Sequence, residues 1–411
     1  MKVSLNPMQP GRSTLPTSSN RGAVKNRKTI TISIVSVIVI SLIVGTIGFA
    51  IGTRYQTVLS RANGSLDYSK LSEVYAQLSQ NFDGDLDNDK LIQGAAAGMV
   101  SAAGDPYTTF FNADEAKEFS SDLSGTFEGV GIELGQNSDN QLEVISPIDG
   151  SPAKAAGIKA HDVIAAVDGT NSVSWTPEKA VTKIRGKAGT VVKLTIIRDG
   201  ETKDFEVTRA EISVPSVEYE IKDAIGYLRI SRFGDDTASL ATKAANAFKS
   251  ANVKGVILDL RGNGGGYVDA AKSVASLWLK SGQTIVEERR GSQVIETETA
   301  SGFPTLSGIS TVVLIDGGSA SASEIVAGAL KDNGAATLVG TTSYGKGSVQ
   351  KLVPLSNGAQ LKVTIARWYT PNGQNINGDG IKPDVEATMT ADEYSAGNDT
   401  QRAKAVEILN K

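Results

Sequence analysis

The chain has 411 residues, 40% hydrophobic and 21% charged, with a formal net charge of −4 at pH 7. This balance is that of an ordinary globular protein long enough for two or three domains, and it gives no reason to expect nucleic acid as a partner. Cysteine is absent and His161 is the single histidine, which excludes thiolate nucleophiles, disulfides, thiolate metal sites and multi-histidine zinc sites.

The N-terminal region predicts a membrane anchor. Residues 1–29 are rich in Ser, Asn, Pro and basic residues, which is typical of a disordered tail. Residues 30–52 are uncharged and mostly apolar, and this run exceeds the ~20 residues that a spanning helix needs. A cleaved signal peptide is the alternative, but its apolar region is usually only ~7–15 residues long. We therefore expect an uncleaved single-pass helix.

Basic residues set the expected orientation of this helix. Four of them precede it, whereas only Arg54 follows closely. The positive-inside rule then places residues 1–29 in the cytoplasm and the chain after about residue 53 in the periplasm or outside the cell. The four preceding residues are Arg21, Lys25, Arg27 and Lys28.

The remaining chain divides into four segments by pattern. Residues 53–118 show helical spacing, with Asn112 as a candidate helix cap. Residues 119–210 read as short alternating strands with one or two short helices and a hairpin turn at Asp199-Gly200. Residues 211–390 alternate strands and helices, which predicts an α/β layer with a largely parallel sheet, followed after residue 347 by a β hairpin. Residues 391–411 end in an amphipathic helix, so the fold class is multidomain, α+β and α/β.

The stretch LVGTTSYGKGSVQ, residues 338–350, is close to a phosphate-binding loop because Gly340 is followed by Gly345 and Lys346. Such a loop needs Ser or Thr directly after the lysine, and that position is Gly347. It should also open a helix, but SVQKLVPL alternates like a strand. The expected location outside the membrane, where nucleoside triphosphate is scarce, argues against it too. A nucleotide site is therefore not expected, and an exposed lysine in a turn is the simplest alternative.

Three serines just upstream, Ser319, Ser321 and Ser323, alternate with alanines where a strand passes into a helix. A serine at such a turn can present its hydroxyl to a cleft, while the helix N-terminus favours negative charge nearby. A helix cap is the structural alternative for one of them. With three serines available, both roles can be filled.

A serine nucleophile requires a base. His161 lies at a turn of the small β region and is expected to be a surface residue. The remaining candidate is Lys346, which desolvation would keep neutral. Its glycine neighbours would let the backbone pass close to the serine without a clash.

A third motif, RGNGGG at residues 261–266, follows the predicted strand KGVILDL. Its glycines bring backbone N–H groups to the carboxyl end of a strand, where α/β sheets place their sites. Alone, such a run is usually just a turn. Beside a serine nucleophile it would complete an oxyanion hole.

These motifs, taken in order, resemble the carboxyl-terminal processing peptidases, or tail-specific proteases, from about residue 68 to the end. This family consists of membrane-associated or secreted serine endopeptidases with a PDZ domain and a Ser/Lys pair. Any one motif would be moderate evidence, whereas six in the same order are specific. They are GDPYTTFF, GVGIEL, DLRGNGGG, GSASASEIVAGAL, GTTSYGKGSVQ and YTPNGQNINGDGIKPDV.

The resemblance implies roles for individual residues. Ser321 corresponds to the nucleophile, Lys346 to the general base and Gln350 to the residue that orients the base. If residues 346–350 form an alternating strand, Lys346 and Gln350 share a side. The oxyanion donors would be the backbone N–H groups of Ala322 and of a glycine in the GGG run, with Gly265 favoured. The family usually has Asn-Pro where this chain has residues 262–264, which leaves the choice of glycine open, and Tyr344 replaces a common Phe.

Residues 119–210 resemble a PDZ domain, whose carboxylate-binding loop corresponds to Gly129-Val130-Gly131-Ile132. Backbone N–H groups in such a loop accept a terminal carboxylate while the peptide adds as a strand. A β domain without a ligand is the alternative. Because this domain gates the active site in related enzymes, Arg185 is a candidate contact to the protease core; a solvated surface arginine is equally compatible.

The resemblance thus implies a serine endopeptidase core at residues 211–390 that hydrolyses peptide bonds near protein C-termini, without metal, nucleotide or other cofactor. Its expected partners are protein substrates with accessible C-termini and the membrane, and a second copy of the chain, docked through the terminal helices, is left open. A catalytically inactive PDZ scaffold and an adaptor or chaperone are the alternatives. An intact Ser/Lys/Gln set argues against a scaffold.

Overall fold

The computed structural model describes residues 67–390, 393 and 396–411. The predicted tail at 1–29, the predicted membrane helix at 30–52 and residues 53–66 of the predicted helical region lie outside the described residues. Within the described part, no helix is both long and apolar enough to cross a bilayer. The described residues fall into two compact units, one ending at Asp87 and the other spanning Asn88–Lys411.

The predicted helical region contains three described helices and one short strand. Helix α1 belongs to the first unit and has no buried residue. The others open the second unit. The elements are α1 (Ser69–Asn81), α2 (Asn88–Ser101), β1 (Thr109–Phe111) and α3 (Ala113–Ser124).

Helix α3 has defined ends, and the predicted cap at Asn112 is confirmed. The Asn112 side chain accepts hydrogen bonds from the N–H groups of Asp114 and Glu115, and the Asn112 N–H donates to the Glu115 carboxylate. This reciprocal pair is a capping box. Gly125 ends the helix in the left-handed conformation, with φ of 70°, so the chain turns sharply into the next strand.

Residues 126–213 fold as a small β unit, a six-stranded antiparallel sheet with a two-stranded ribbon beside it. The strand Val191–Arg198 alternates buried and exposed residues, as expected for a half-buried sheet. The predicted turn is confirmed, because Asp199 and Gly200 both have positive φ (54° and 79°). The elements are β2 (Thr126–Gly129), β3 (Ile132–Gln136), β4 (Leu142–Pro147), α4 (Pro152–Ala155), β5 (Val163–Val167), β6 (Thr170–Asn171), α5 (Pro177–Ile184), β7 (Val191–Arg198), β8 (Glu201–Thr208) and β9 (Ala210–Ser213).

The largest layer is a six-stranded sheet in the order β10-β11-β12-β15-β16-β19. Its first strand pairs antiparallel and the others pair parallel, so the predicted largely parallel sheet is confirmed. The elements that build it are β10 (Val217–Lys222), β11 (Ile225–Ile230), α6 (Thr237–Ser250), β12 (Gly255–Asp259), α7 (Val268–Ala275), β15 (Ser310–Ile315), α8 (Ala322–Asp332), β16 (Thr337–Gly340) and β19 (Val385–Glu386).

Helices cover both faces of this sheet. The α6, α7 and α8 helices pack against one face in the main hydrophobic core. The C-terminal helix α9 (Thr400–Leu409) packs against the other, where Ile257, Val312 and Leu314 are buried. Every residue of β12 is buried, as expected for a strand covered on both sides. The carboxyl ends of β12 and β15 therefore bring two loops to one edge of the sheet.

A second, antiparallel sheet completes the core. The predicted hairpin of β17 (Ser348–Pro354) and β18 (Gln360–Tyr369) is confirmed. Sequence patterning missed the other hairpin, β13 (Thr284–Arg290) with β14 (Gln293–Thr299), whose exposed outer strand carries no alternation. It also missed that β1, from the predicted helical region, pairs with β18.

An ion-pair cluster fastens α9 to the loop after β12. The Arg261 guanidinium forms hydrogen-bonded ion pairs with the fully buried Asp259 and with Asp399, the residue before α9. The Tyr227 hydroxyl donates to Asp259 at 2.6 Å, and Gln401 accepts from Arg261 at 3.0 Å. The C-terminal helix is thus tied to the strand end from which the glycine loop starts.

Candidate active site

The three serines at the end of β15 have different environments. The Ser319 and Ser323 side chains are fully buried and donate to the carbonyls of Leu260 and Asn263, both at 2.8 Å. Ser321 is half-buried and lines a cavity. The flanking serines hold the turn to the neighbouring loop, so Ser321 is the one of the three that a substrate could reach.

Ser321 has φ of 56° and ψ of −114°, a conformation that costs a non-glycine residue free energy. It directly precedes α8, which begins at Ala322. The first N–H groups of a helix lack partners within the helix and carry its positive dipole. The strained turn thus presents the serine at the positive end of a helix.

A buried carboxylate lies directly beneath this turn. Glu324 is 1% exposed, and its Oε2 accepts the Ser321 N–H at 2.8 Å and the Lys346 N–H at 3.0 Å. Its Oε1 accepts the Gly345 N–H at 2.7 Å and the Ser343 hydroxyl at 2.6 Å. One side chain therefore fixes the backbone of the serine turn relative to that of the lysine loop.

The glycines beside Lys346 are explained differently from the prediction. A Cβ on Gly347 would lie 2.4 Å from the Asn377 nitrogen, and one on Gly345 would lie 2.9 Å from the Gly380 nitrogen. Both glycines therefore allow close approach to the segment after β18, and not to the serine. That segment and Glu324 hold the loop from two sides.

The Lys346 amine lies in a desolvated position, as predicted. Burial lowers its pKa, the positive charge of Lys362 lowers it further, and Glu324 raises it. Its Nζ lies 5.6 Å from the centre of the Tyr107 ring. Tyr107 comes from the GDPYTTFF motif, so this motif covers the lysine. A larger fraction of Lys346 is therefore neutral at a given pH than for a solvated lysine.

Gln350 lines the same cavity but is bonded to other partners. Its amide nitrogen donates to Ser348 Oγ at 2.8 Å and to Thr364 Oγ1 at 3.3 Å. Lys346 precedes β17, so strand alternation does not place the two side chains on one face, and that part of the reasoning was wrong. The carboxamide oxygen is the atom that could accept from the Lys346 amine.

The glycine loop passes directly behind Ser321. Gly265 has φ of 105°, and a Cβ there would lie 2.8 Å from the Ser321 Cβ. Its N–H donates to the Asn263 side chain at 2.9 Å. Donation from Gly265 to an oxyanion would require that bond to be exchanged, so this role stays a prediction, with Gly264 and Gly266 in the same cavity lining.

One cavity of about 430 Å³ joins these groups. Its walls include Ser321, the glycines 264–266, Lys346 and Gln350, together with Lys362 from β18 and Phe119 from α3. The structure thus brings together the sequence-predicted serine, lysine, glutamine and glycines. A hydroxyl, a desolvated amine and a helix N-terminus in one cleft are the components of serine acyl transfer.

Comparisons with known families agree with this chemistry. Residues 224–387 match the model of peptidase family S41, residues 120–197 that of the PDZ domain, and residues 53–115 that of the N-terminal domain of the activating protease CtpB. The carboxy-terminal processing protease CtpA of Bacillus subtilis is 38% identical over 337 residues, covering 80% of this chain and 71% of that protein. The chain belongs to peptidase family S41. It is a serine-type C-terminal processing peptidase.

The chain is also similar to other proteins. A CtpA-like serine protease of Staphylococcus haemolyticus is 36% identical over 353 residues, covering 83% of this S41 peptidase and 71% of its own length. A solved structure from Bacteroides fragilis assigned to the S41 proteases is 18% identical, with coverage of 80% and 92% and a TM-score of 0.55, which indicates the same fold. The photosystem II D1 C-terminal processing protease is 29% identical, with coverage of 79% and 88% and a TM-score of 0.49.

The PDZ domain of this S41 peptidase has the predicted loop at an open sheet edge. Gly129 ends β2, Val130 is buried, and Gly131 has φ of 75° with no room for a Cβ beside Ser151. Ile132 begins β3, which is the edge strand of its sheet. An edge strand has unpaired backbone groups to which a peptide can add.

Two further predicted positions lie away from the cleft. The Arg185 guanidinium stacks over the Phe127 ring of β2 at 4.8 Å, so its observed contact is within the PDZ region. His161 is a surface turn residue, as predicted, with a positive φ of 67° and its Nδ1 2.6 Å from the Glu143 carboxylate.

Sequence reasoning missed Glu324, Asn263 and Lys362. Glu324 stands three residues after Ser321, and Ser-x-x-Glu before an apolar run is a capping-box signal that was available. In the sequence, Asn263 stands out only as part of the departure from Asn-Pro. Lys362 gave no signal, because its place in the cleft depends on the pairing of β18 with β1 and β17.

Proposed function

We propose that this S41 peptidase is a membrane-anchored enzyme, with its catalytic domain in the periplasm or outside the cell. Through its PDZ domain it recognises protein C-terminal segments, and it cleaves them by a Ser/Lys acyl-enzyme mechanism. The apolar run 30–52 and the basic residues before it support the anchor and its orientation. The edge strand β3 and the loop before it support tail binding.

One observation supports the mechanism most directly. The buried Glu324 carboxylate binds the N–H groups of Ser321 and Lys346 together, which places their side chains at one cavity. Since the carboxylate already accepts four hydrogen bonds, it is occupied as an anchor. The desolvated amine is then the available proton acceptor.

The proposed reaction follows from these positions. The Ser321 Oγ attacks the scissile carbonyl carbon while its proton passes to the neutral Lys346 Nζ. The negative oxygen of the tetrahedral intermediate is stabilised by the Ala322 N–H at the start of α8 and by a glycine N–H of the loop 264–266. Lys346 then protonates the leaving amine, and the same lysine activates the water that hydrolyses the acyl-enzyme. Gln350 orients the Lys346 amine through its carboxamide oxygen.

The test uses the full-length chain in detergent and an unfolded protein substrate with an apolar C-terminus. Ser321→Ala and Lys346→Ala are expected to abolish turnover while the melting temperature shows a folded protein. Replacing the apolar tail by an acidic one is expected to slow cleavage mainly through KM. Retained turnover in Lys346→Ala would refute the lysine mechanism. Tail binding without cleavage by the parent enzyme would support the inactive scaffold instead, and a cell fraction without membranes that holds the full-length chain would refute the anchor.

A further inference from the structure

A second lysine lies in the same cavity as the proposed base. Lys362 is on β18, opposite Thr109 of β1 and Leu352 of β17. With Lys346 and Ser321 it lines this cavity. The proposed mechanism gives this residue no task.

The Lys362 amine lies beside two aromatic rings and not beside a carboxylate. Its Nζ lies 5.4 Å from the centre of the Phe111 ring and 5.3 Å from that of Phe119, and these rings are stacked 4.9 Å apart. No ion pair between described residues involves Lys362. Aromatic faces stabilise an ammonium without supplying a negative charge that would cancel its field.

The two lysines therefore differ in their surroundings. Lys346 lies near one ring, that of Tyr107, whereas Lys362 lies near two. Burial lowers the pKa of both amines, and Lys362 additionally lowers the pKa of Lys346. Two like charges in one desolvated cleft repel, which favours the loss of one proton, and the two rings beside Lys362 favour keeping the remaining charge there.

Other charges around the cleft do not replace this effect. Asp122 of α3 is an exposed residue of the cavity lining. The Arg232 guanidinium also lines the cavity, but its charge is offset by an ion pair with Asp236 at 3.7 Å. Glu324 attracts a proton to Lys346, which is the opposite effect. Lys362 is the cation that offsets it.

We propose that Lys362 is a positioning residue that keeps the positive charge of the active site on its own amine, beside the stacked rings of Phe111 and Phe119. Lys346 is thereby left neutral and can act as the base. This inference rests on the proposed Ser/Lys mechanism and assigns it a fourth side chain. Lys362 does not touch the reacting atoms. It acts by electrostatic repulsion across the cavity.

The experiment measures how fast a small uncharged sulfonyl fluoride modifies Ser321 of the full-length enzyme, as a function of pH. In that step a bond forms between Ser321 Oγ and sulfur, fluoride leaves, and the serine proton passes to Lys346. Intact-mass spectrometry gives the rate. Because the reagent carries no charge and occupies little of the cleft, a substrate-binding role of Lys362 would not affect the pH midpoint.

In Lys362→Met the midpoint of the rate is expected to move to higher pH by about one unit, which below the midpoint is a roughly 10-fold slower reaction. Lys362→Arg keeps the charge and is expected to restore the parent profile. Lys351→Met is the matched control, because Lys351 is exposed on β17 next to the cavity-lining Gln350. Its profile should match that of the parent. If Lys362→Met does not fold, Lys362→Gln replaces it.

An unmoved midpoint in a folded Lys362→Met or Lys362→Gln enzyme would overturn the inference. A midpoint that moves equally in Lys362→Arg would also do so, since shape and not charge would then be responsible. Modification of the Ser321→Ala protein at the parent rate would instead refute the proposed nucleophile. Failure of this inference and failure of the proposed function are thus distinguishable.

Discussion

Two loops meet at Ser321, and they are held in opposite ways. In the lysine loop, residues 341–347, backbone N–H groups are bound by the buried Glu324 carboxylate, which leaves the Lys346 side chain in the cavity. In the glycine loop, residues 261–266, the backbone is itself the proposed functional group, and the Gly265 N–H is bound by Asn263. The backbones that carry Ser321 and Lys346 are thus fixed relative to each other by Glu324, whereas the glycine loop has one proposed donor engaged elsewhere.

The largest expected effect comes from replacing Glu324, whose carboxylate binds the backbone of the lysine loop. Glu324→Gln keeps the shape but places an amide NH2 where one oxygen accepts two donors. Since serine turn and lysine loop would both shift, kcat/KM is expected to fall about 1000-fold. The free energy of unfolding is expected to fall by about 3 kcal/mol. Peptidase kinetics and urea titration measure these changes.

The control is Glu73→Gln on the exposed helix α1, which should change neither quantity measurably. If Glu324→Gln retained parent activity, the four hydrogen bonds would not be what aligns the two loops. The lysine loop would then be no more firmly held than the glycine loop.

The glycine loop is tested by a matched pair of neighbouring residues. Gly265→Ala would put a Cβ 2.8 Å from the Ser321 Cβ and 2.9 Å from the Ala320 oxygen, at a φ of 105°. Gly264→Ala would meet no atom within 4 Å. We expect Gly265→Ala to lose about 100-fold in kcat/KM and about 2 kcal/mol of stability, because the turn must shift. Gly264→Ala should resemble the parent.

Comparing the two variants distinguishes a specific requirement for the backbone geometry of Gly265 from a general requirement for a flexible glycine loop. Equal activity of both variants would show that the glycine loop adapts easily and that the nucleophile does not depend on it. A large loss in Gly264→Ala would mean that this glycine, and not Gly265, needs an unhindered backbone.

The same comparison explains what sequence could predict. Most strands and helices, and the strand-to-helix turn that carries the three serines, follow from local patterns, because alternation and strand-to-helix transitions span only a few residues. The choice of Ser321 among those serines came from the family resemblance. The hydrogen bond that occupies the Gly265 N–H depends on the orientation of one loop. The site of Lys362 depends on pairing between strands some 250 residues apart, Thr109 with Lys362. Neither has a local signal.

Glu324 lies between these cases. Its position three residues after Ser321 is local, and it predicts a helix cap. Its second function, accepting bonds from Gly345 and Lys346, joins positions more than twenty residues apart. The sequence could therefore have indicated Glu324 as a helix cap, but not its hydrogen bonds to the lysine loop.

A smaller effect is expected from the residue proposed to orient the base. Gln350→Ala removes the carboxamide, while Ser348 and Thr364 still occupy the neighbouring strand positions. We expect kcat to fall about 10-fold with KM unchanged, because the amine would be less well aligned with Ser321 Oγ. Steady-state kinetics with a fluorogenic peptide measure both parameters. Gln293→Ala on the exposed strand β14 is the control, and a change confined to KM would indicate substrate contact instead.

The smallest expected effect is on the free energy of unfolding. It tests whether the buried Lys346 amine destabilises the folded protein. Burial and Lys362 lower the pKa of Lys346 in the folded protein, whereas the unfolded chain has the ordinary lysine pKa of about 10.4. Between these two values the unfolded state binds more protons, so the free energy of unfolding rises with pH across that window. Below the window the buried amine makes the folded enzyme less stable than it would be without it.

Lys346→Met keeps a stem of similar length and removes the titrating group. We therefore expect this inactive variant to be more stable than the parent at neutral pH, with the difference shrinking as the pH rises toward that of a free lysine. Urea titrations at several pH values measure it, and Lys351→Met should show no such convergence. A variant less stable than the parent at neutral pH would mean that Lys346 is held by favourable contacts. The fold would then gain, and not lose, stability from its proposed base.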